Sequence, residues 1–82
     1  MLNIKILGPG CANCKMLESI TRKVIDGLGI EADVVKITDY NEIMKFPIIS
    51  TPGLVINEKL VSAGRIPSES EISAWVIQAS VV

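Results

Sequence analysis

Histidine is absent from these 82 residues, and every mechanism that needs an imidazole base, nucleophile or metal ligand goes with it. Cysteine occurs only twice. Two cysteines supply half of the four ligands that a mononuclear structural zinc generally takes, so a zinc site would need a second copy of the chain or added carboxylates. Aromatic residues number three, Trp75, Phe46 and Tyr40, which leaves Ile, Val and Leu to build the interior with those three as large fillers. Neither charge sign forms a block: eight basic and nine acidic residues leave a formal charge of −1. Nothing in that balance would draw nucleic acid or an anionic membrane. No apolar run approaches the length of a membrane span, and Met1 to Leu7 lacks the basic, apolar and small-residue succession of a signal peptide. The expectation is a cytoplasmic, monomeric protein of one domain, residues 1–82, near the lower size limit for a fold held by a single core.

Both cysteines lie in one stretch, Gly8-Pro9-Gly10-Cys11-Ala12-Asn13-Cys14-Lys15, just before a helix-like run. A disulfide between them would close so small a loop that chain entropy predicts only about 2 kcal/mol of stabilisation, so stapling is a poor reason for the spacing. Neighbouring sulfurs at a helix start do suit thiol–disulfide exchange, in which one thiolate attacks and the other resolves the mixed intermediate. In a reducing compartment such a pair reads as catalytic or metal-binding rather than structural. Unpaired N–H groups and the positive end of the helix dipole beside the first sulfur favour thiolate over thiol. Lowering a thiol pKa from about 8.5 to about 7 would raise its thiolate fraction at neutral pH roughly fifteenfold. Lys15 could add to that effect or be a solvated helix residue.

Leu2 to Leu7 reads as a strand stopped by Gly8-Pro9-Gly10. Leu17, Ile20, Thr21, Val24 and Leu28 then recur at helical spacing until Gly27 and Gly29, giving a helix that begins near Cys11. Ile30 to Ile37 is a β-branched run after a helix of crossover length, so the two strands should be parallel. Asp39 followed by Glu42 resembles a cap for a short helix carrying Ile43, Met44 and Phe46 and ending before Pro47. Leu54 to Ile56 and Leu60 to Ala63, joined across Asn57-Glu58-Lys59, read as an antiparallel hairpin. Ser68 and Glu71 form a capping box for a last helix with an apolar stripe of Ile72, Trp75, Val76 and Ala79, and Ile66-Pro67 leads into it. The order is β-α-β-α-β-β-α, an α/β fold with a four-stranded mixed sheet and three helices. Trp75, Phe46 and the methionines read as core packing rather than a cofactor box.

This order, with Cys-x-x-Cys opening the first helix and Thr51-Pro52 just ahead of the hairpin, resembles the thioredoxin fold in its shortest form. Gly8-Pro9-Gly10-Cys11, Ser50-Thr51-Pro52 and Gly64-Arg65-Ile66-Pro67-Ser68 are similar to the small prokaryotic redox-active disulfide proteins of that superfamily, and the likeness covers essentially the whole chain. The resemblance implies a thiol–disulfide oxidoreductase that reduces protein disulfides, with Cys11 as attacking nucleophile and Cys14 as resolving cysteine. It implies that Pro52 is a cis-proline facing them, that the Thr51 backbone pairs with an extended substrate, and that Gly10 borders the docking surface. It also implies a flavin-dependent thioredoxin reductase-type donor, and no cofactor beyond the redox-active disulfide. Gly10 replaces the tryptophan that usually precedes the pair, Ala12 and Asn13 replace the usual inner proline, and Lys5 stands where many thioredoxins carry a buried acid. Lys5 has two readings, an ammonium that favours the thiolate or an exposed strand lysine, lysine being seldom fully buried.

Other readings of the pair remain open at this level. Copper(I) is content with two thiolates, and small copper carriers also place Cys-x-x-Cys after a first strand. Against that stand Pro9, where the copper motif has methionine, and a C-terminal helix in place of a closing strand. A glutathione-dependent glutaredoxin would suit Thr51-Pro52 and the hairpin, yet Gly64 has no second glycine beside it and no acidic pair after it. The cysteines could also be small buried hydrophobes, and a non-catalytic interaction module on the same scaffold would dispense with its thiols.

Overall fold

The computed structural model describes residues 2–80. Among them, seven elements follow in the expected order: β1 (Leu2–Leu7), α1 (Ala12–Leu28), β2 (Ala32–Ile37), α2 (Tyr40–Ile43), β3 (Gly53–Ile56), β4 (Lys59–Ala63) and α3 (Glu69–Ser80). The strands form one mixed sheet in the order β2-β1-β3-β4, with β1 and β2 parallel and the other neighbours antiparallel.

Alternation along β1 divides the interior in two, because successive strand side chains point to opposite faces. Leu2, Ile4 and Ile6 join Leu17, Val24 and Ile25 of α1 and Ile72 and Val76 of α3 in the larger cluster. Leu7 joins Val55 and Ile43 in the smaller one, against the α2 side. Thr21 is buried within the α1 stripe and donates its hydroxyl to the Leu17 carbonyl at 2.7 Å, so no polar group is stranded there. The capping box of α3 forms in both directions: the Glu71 N–H donates to Ser68 Oγ, and the Ser68 N–H donates to Glu71 Oε1.

Several boundaries differ from the sequence expectation, each for a local reason. The second strand starts at Ala32 rather than Ile30, because the Ile30 N–H donates back to the Ile25 carbonyl and Ile30 closes the end of α1. Ile25 takes the buried place on α1 expected of Leu28, which is exposed in the last turn. The hairpin turn holds only Asn57 and Glu58, both with positive φ, since Lys59 already pairs with Ile56. The register then shifts between Leu54 and Val55, leaving Val61 as the additional residue on β4.

The α2 helix is a single turn, started by Asp39 accepting from the Asn41 N–H. Met44 and Phe46 lie beyond it, where the Lys45 and Phe46 N–H groups donate to residues three earlier, in the tighter pattern of a helix end. One turn buries one large side chain here, and Ile43 takes that place. Tyr40 is therefore not an interior filler but 68% exposed, and Met44 is 55% exposed. Met16 is also outside the core: it sits about 200° round α1 from the buried Cys14.

Candidate active site

Parallel pairing of β1 with β2, and antiparallel pairing of β1 with β3, bring three connections to one end of the sheet. These are the turn after β1, the segment after β2 and the segment leading into β3. The turn after β1 carries Gly8 to Gly10, the last with φ +95° in open space, which lets the chain swing into α1. Cys11 is the N-cap of α1: its Sγ accepts the Cys14 N–H at 3.2 Å, and its carbonyl accepts the Lys15 N–H. The first sulfur is thus solvated and faces the donor end of a helix 17 residues long.

Cys14 lies one turn on and faces inward at 5% exposure, whereas Cys11 is exposed. The two are joined as a disulfide with their Cα atoms 5.0 Å apart. Behind Cys14 stands Gly8, where a Cβ would run into the Cys14 sulfur and come within 3.1 Å of its Cβ. Thr51 closes the other side, its Cβ 3.9 Å from the same point. Thr51 is half-buried, Pro52 is buried, and the peptide bond between them is cis.

The Pro52 carbonyl accepts the Gly64 N–H at 2.9 Å, and Gly64 packs so closely on Ser50 that a Cβ there would meet its hydroxyl. Arg65, next in the chain, donates from both terminal guanidinium nitrogens to Glu71, at 3.1 and 2.7 Å. That pair and the Ser68 N–H hold the Glu71 carboxyl down at about 2. The segment supporting Pro52 is therefore tied to the first turn of α3.

Sequence reasoning named Cys11, Cys14, Gly10, Thr51 and Pro52, and the fold brings all five to this end of the sheet. It missed the role of Gly8 as the floor under Cys14, and it missed Lys36 and Thr38. Those two line a cleft of about 50 Å³ beside Cys14, together with Ile6, Gly8 and Lys15. The signal was present in the expected parallel pairing, since Ile6 opposite Lys36 carries the residues after β2 to the cysteine end. Lys5 serves neither sulfur. Its ammonium pairs with Glu58 and lies 5.5 Å from the Phe46 ring centroid, and the Asn57–Glu58 turn is at the opposite end of β1 from the cysteines.

Among the described residues, no three Cys, His, Asp or Glu side chains cluster to hold a metal ion, and no helix is long and apolar enough to cross a membrane. The family model for the thioredoxin domain matches residues 2–77. A thioredoxin of Methanothermobacter thermautotrophicus is 40% identical over 72 residues, which cover 88% of this chain and 94% of the relative. A thioredoxin of Methanocaldococcus jannaschii is 40% identical over 72 residues as well, covering 88% of this chain and 83% of the relative.

Proposed function

This chain belongs to the thioredoxin domain family and is a protein thiol–disulfide oxidoreductase, and from that premise we propose that Cys11 attacks the substrate and Cys14 resolves the intermediate. The observation that carries this assignment is the asymmetry of the pair: Cys11 is exposed at the helix N-cap and Cys14 is buried one turn behind it. In the reduced protein the Cys11 thiolate attacks one sulfur of a substrate disulfide, and the other substrate sulfur leaves as thiolate. The Cys14 thiolate then attacks Cys11 Sγ, the second substrate sulfur leaves, and the Cys11–Cys14 disulfide remains. Two electrons have passed to the substrate, which takes up two protons. The amides at the start of α1 favour the anionic sulfur, and they are already oriented before substrate arrives.

Thr51 supplies backbone groups for an extended substrate segment, with Pro52 fixing the direction of that edge and Gly10 leaving the opposite rim low. The chain works as a monomer of one domain in the cytoplasm, with no cofactor beyond its own disulfide. A flavin-dependent thioredoxin reductase-type enzyme returns it to the dithiol. Copper(I) delivery, the competing use of the same cysteines, would need both sulfurs to reach a ligand-exchange partner, and the burial of Cys14 disfavours it.

Trapping tests the division of labour. Incubated with a disulfide-bonded protein substrate, Cys14→Ser is expected to accumulate a mixed disulfide through Cys11, and Cys11→Ser to accumulate none. The reverse pattern would exchange the two roles. The equilibrium potential of the pair, expected near about −270 mV as in thioredoxin, tests the direction of flow.

A further inference from the structure

We propose that the cleft beside Cys14, lined by Lys15 and Lys36, takes a carboxylate side chain next to the cysteine of a substrate disulfide, so that the protein selects acidic substrate segments. The proposal rests on the oxidoreductase reading and names a substrate class for it.

Charge on α1 runs against the helix dipole, which stabilises acids in a first turn and bases in a last one. The first turns of α2 and α3 follow that rule, with Glu42 in one and Glu69 and Glu71 in the other. The first turn of α1 holds no acid and closes on Lys15, while its last turn holds no base and contains Asp26. This order costs helix stability and favours an anion arriving at the cysteine end.

The neighbouring strand repeats the pattern. Parallel pairing with β1 puts Lys36 at the cysteine end, opposite Ile6, and Asp33 at the far end, opposite Asn3. Lys15 is exposed and forms no ion pair among the described residues. Lys36 lies 3.8 Å from Glu18, but that carboxylate also accepts from Arg22 at 3.0 Å, and the Lys36 side chain is 60% exposed, so its ammonium keeps donors free. Asp39, the first acid after β2, accepts from the Asn41 N–H at the start of α2.

The size and lining of the cleft identify the occupant. At about 50 Å³ it has room for little more than a water molecule, so it admits the tip of a side chain and no larger ligand. Its polar lining, two ammonium groups and the Thr38 hydroxyl, can donate throughout, and a carboxylate accepts such bonds with the added strength of charge. Gly10 and Cys14 border it too, which puts its occupant next to the reacting pair. In the sheet order β2-β1-β3 it lies on the flank of β1 away from Thr51. A substrate cysteine docked at Cys11 therefore carries its neighbour on that side over the cleft, since each residue of an extended chain advances about 3.3 Å.

The test uses the reduced protein and three synthetic peptide disulfides, symmetrical dimers of a single-cysteine peptide with blocked ends, in which the cysteine is flanked on both sides by Glu, Gln or Lys. Single-turnover rates are followed by alkylation of the released thiols, and each is divided by the rate with dithiothreitol. The native protein is expected to prefer the Glu peptide to the Gln peptide by about fivefold at low ionic strength and by less than about twofold at about 0.5 M salt, with the Lys peptide slowest. Lys15→Gln and Lys36→Gln should each reduce the preference, and the double variant should bring it to within about 1.5-fold. Lys23→Gln, which removes the same charge further along α1 beside Glu69, should leave it intact.

Equal rates for the Glu and Gln peptides, or a preference that survives the double variant, would overturn the proposal while leaving the oxidoreductase reading in place. So would a double variant that slows all three peptides alike, which would assign the lysines to stabilising the thiolate rather than to recognition. Failure to reduce the peptides and hydroxyethyl disulfide as well would overturn both readings.

Discussion

Adding one methyl group at Gly8 tests whether the fold itself adjusts the stability of the disulfide. In the oxidised protein the Cys14 sulfur is tied to Cys11 and rests on the space that a Gly8 Cβ would fill. Gly8→Ala therefore overpacks the oxidised site, at a cost of about 1–3 kcal/mol for an extra methyl in a close-packed place. In the reduced protein the Cys14 thiol can turn about χ1 and relieve part of the contact. The difference acts on the redox equilibrium, and since about 30 mV corresponds to 1.4 kcal/mol for a two-electron couple, the potential should rise by up to about 20–65 mV. Equilibration against dithiothreitol or glutathione buffers, read by alkylation, measures the shift. The direction matters most: disfavouring the disulfide makes the pair more oxidising. An unchanged potential, with equal losses of thermal stability in the oxidised and reduced forms, would show that Gly8 does not constrain the Cys14 sulfur. The reasoning would then be refuted.

Ile72→Ala removes a fully buried side chain between α3 and the sheet, and should cost about 2–5 kcal/mol in urea denaturation; an unchanged midpoint would contradict the packing described. Glu58 holds φ +67° in a two-residue turn after Asn57, so Glu58→Gly should stabilise the protein by about 0.5–1 kcal/mol, more than the half-solvated Lys5 pair it removes. That gain would raise Tm by about 2–8 °C, and a fall in Tm would show that the pair outweighs the backbone term. Glu71 titrates at about 2, below its ordinary 4.5, so its contribution is fully present above about pH 4.5 and is lost as pH falls towards 2. The stability gap between native protein and Glu71→Gln should accordingly close across that window in circular dichroism melts, whereas a gap constant from pH 5 to 2 would mean the Arg65 pair contributes nothing.

The order of elements was legible because each signal is local. Alternation in Leu2–Leu7, helical spacing from Leu17 to Val24, and the Ser68/Glu71 box each belong to a few neighbouring residues. Where a boundary moved, a hydrogen bond invisible in the pattern decided it. Ile30 has the composition of a strand residue, but its N–H was already committed to the end of α1. The segment from Tyr40 to Phe46 was the least legible. Its apolar residues fit a helix face, yet a single turn cannot bury them all, and nothing in their spacing says that Ile43 alone goes inside.

The same ambiguity separates the two halves of the site. Cysteine chemistry is legible at close range, because Cys-x-x-Cys ahead of a helical run places one sulfur at the N-cap and the other one turn inward whatever the rest of the chain does. The outward face of the α2 segment is not, because it consists of side chains that the core leaves out. Tyr40 and Met44 look like core residues in the sequence, and only the shortness of α2 turns them outward. In a chain this small, with its core already filled from two faces of one sheet, such residues stay outside at little cost to the fold.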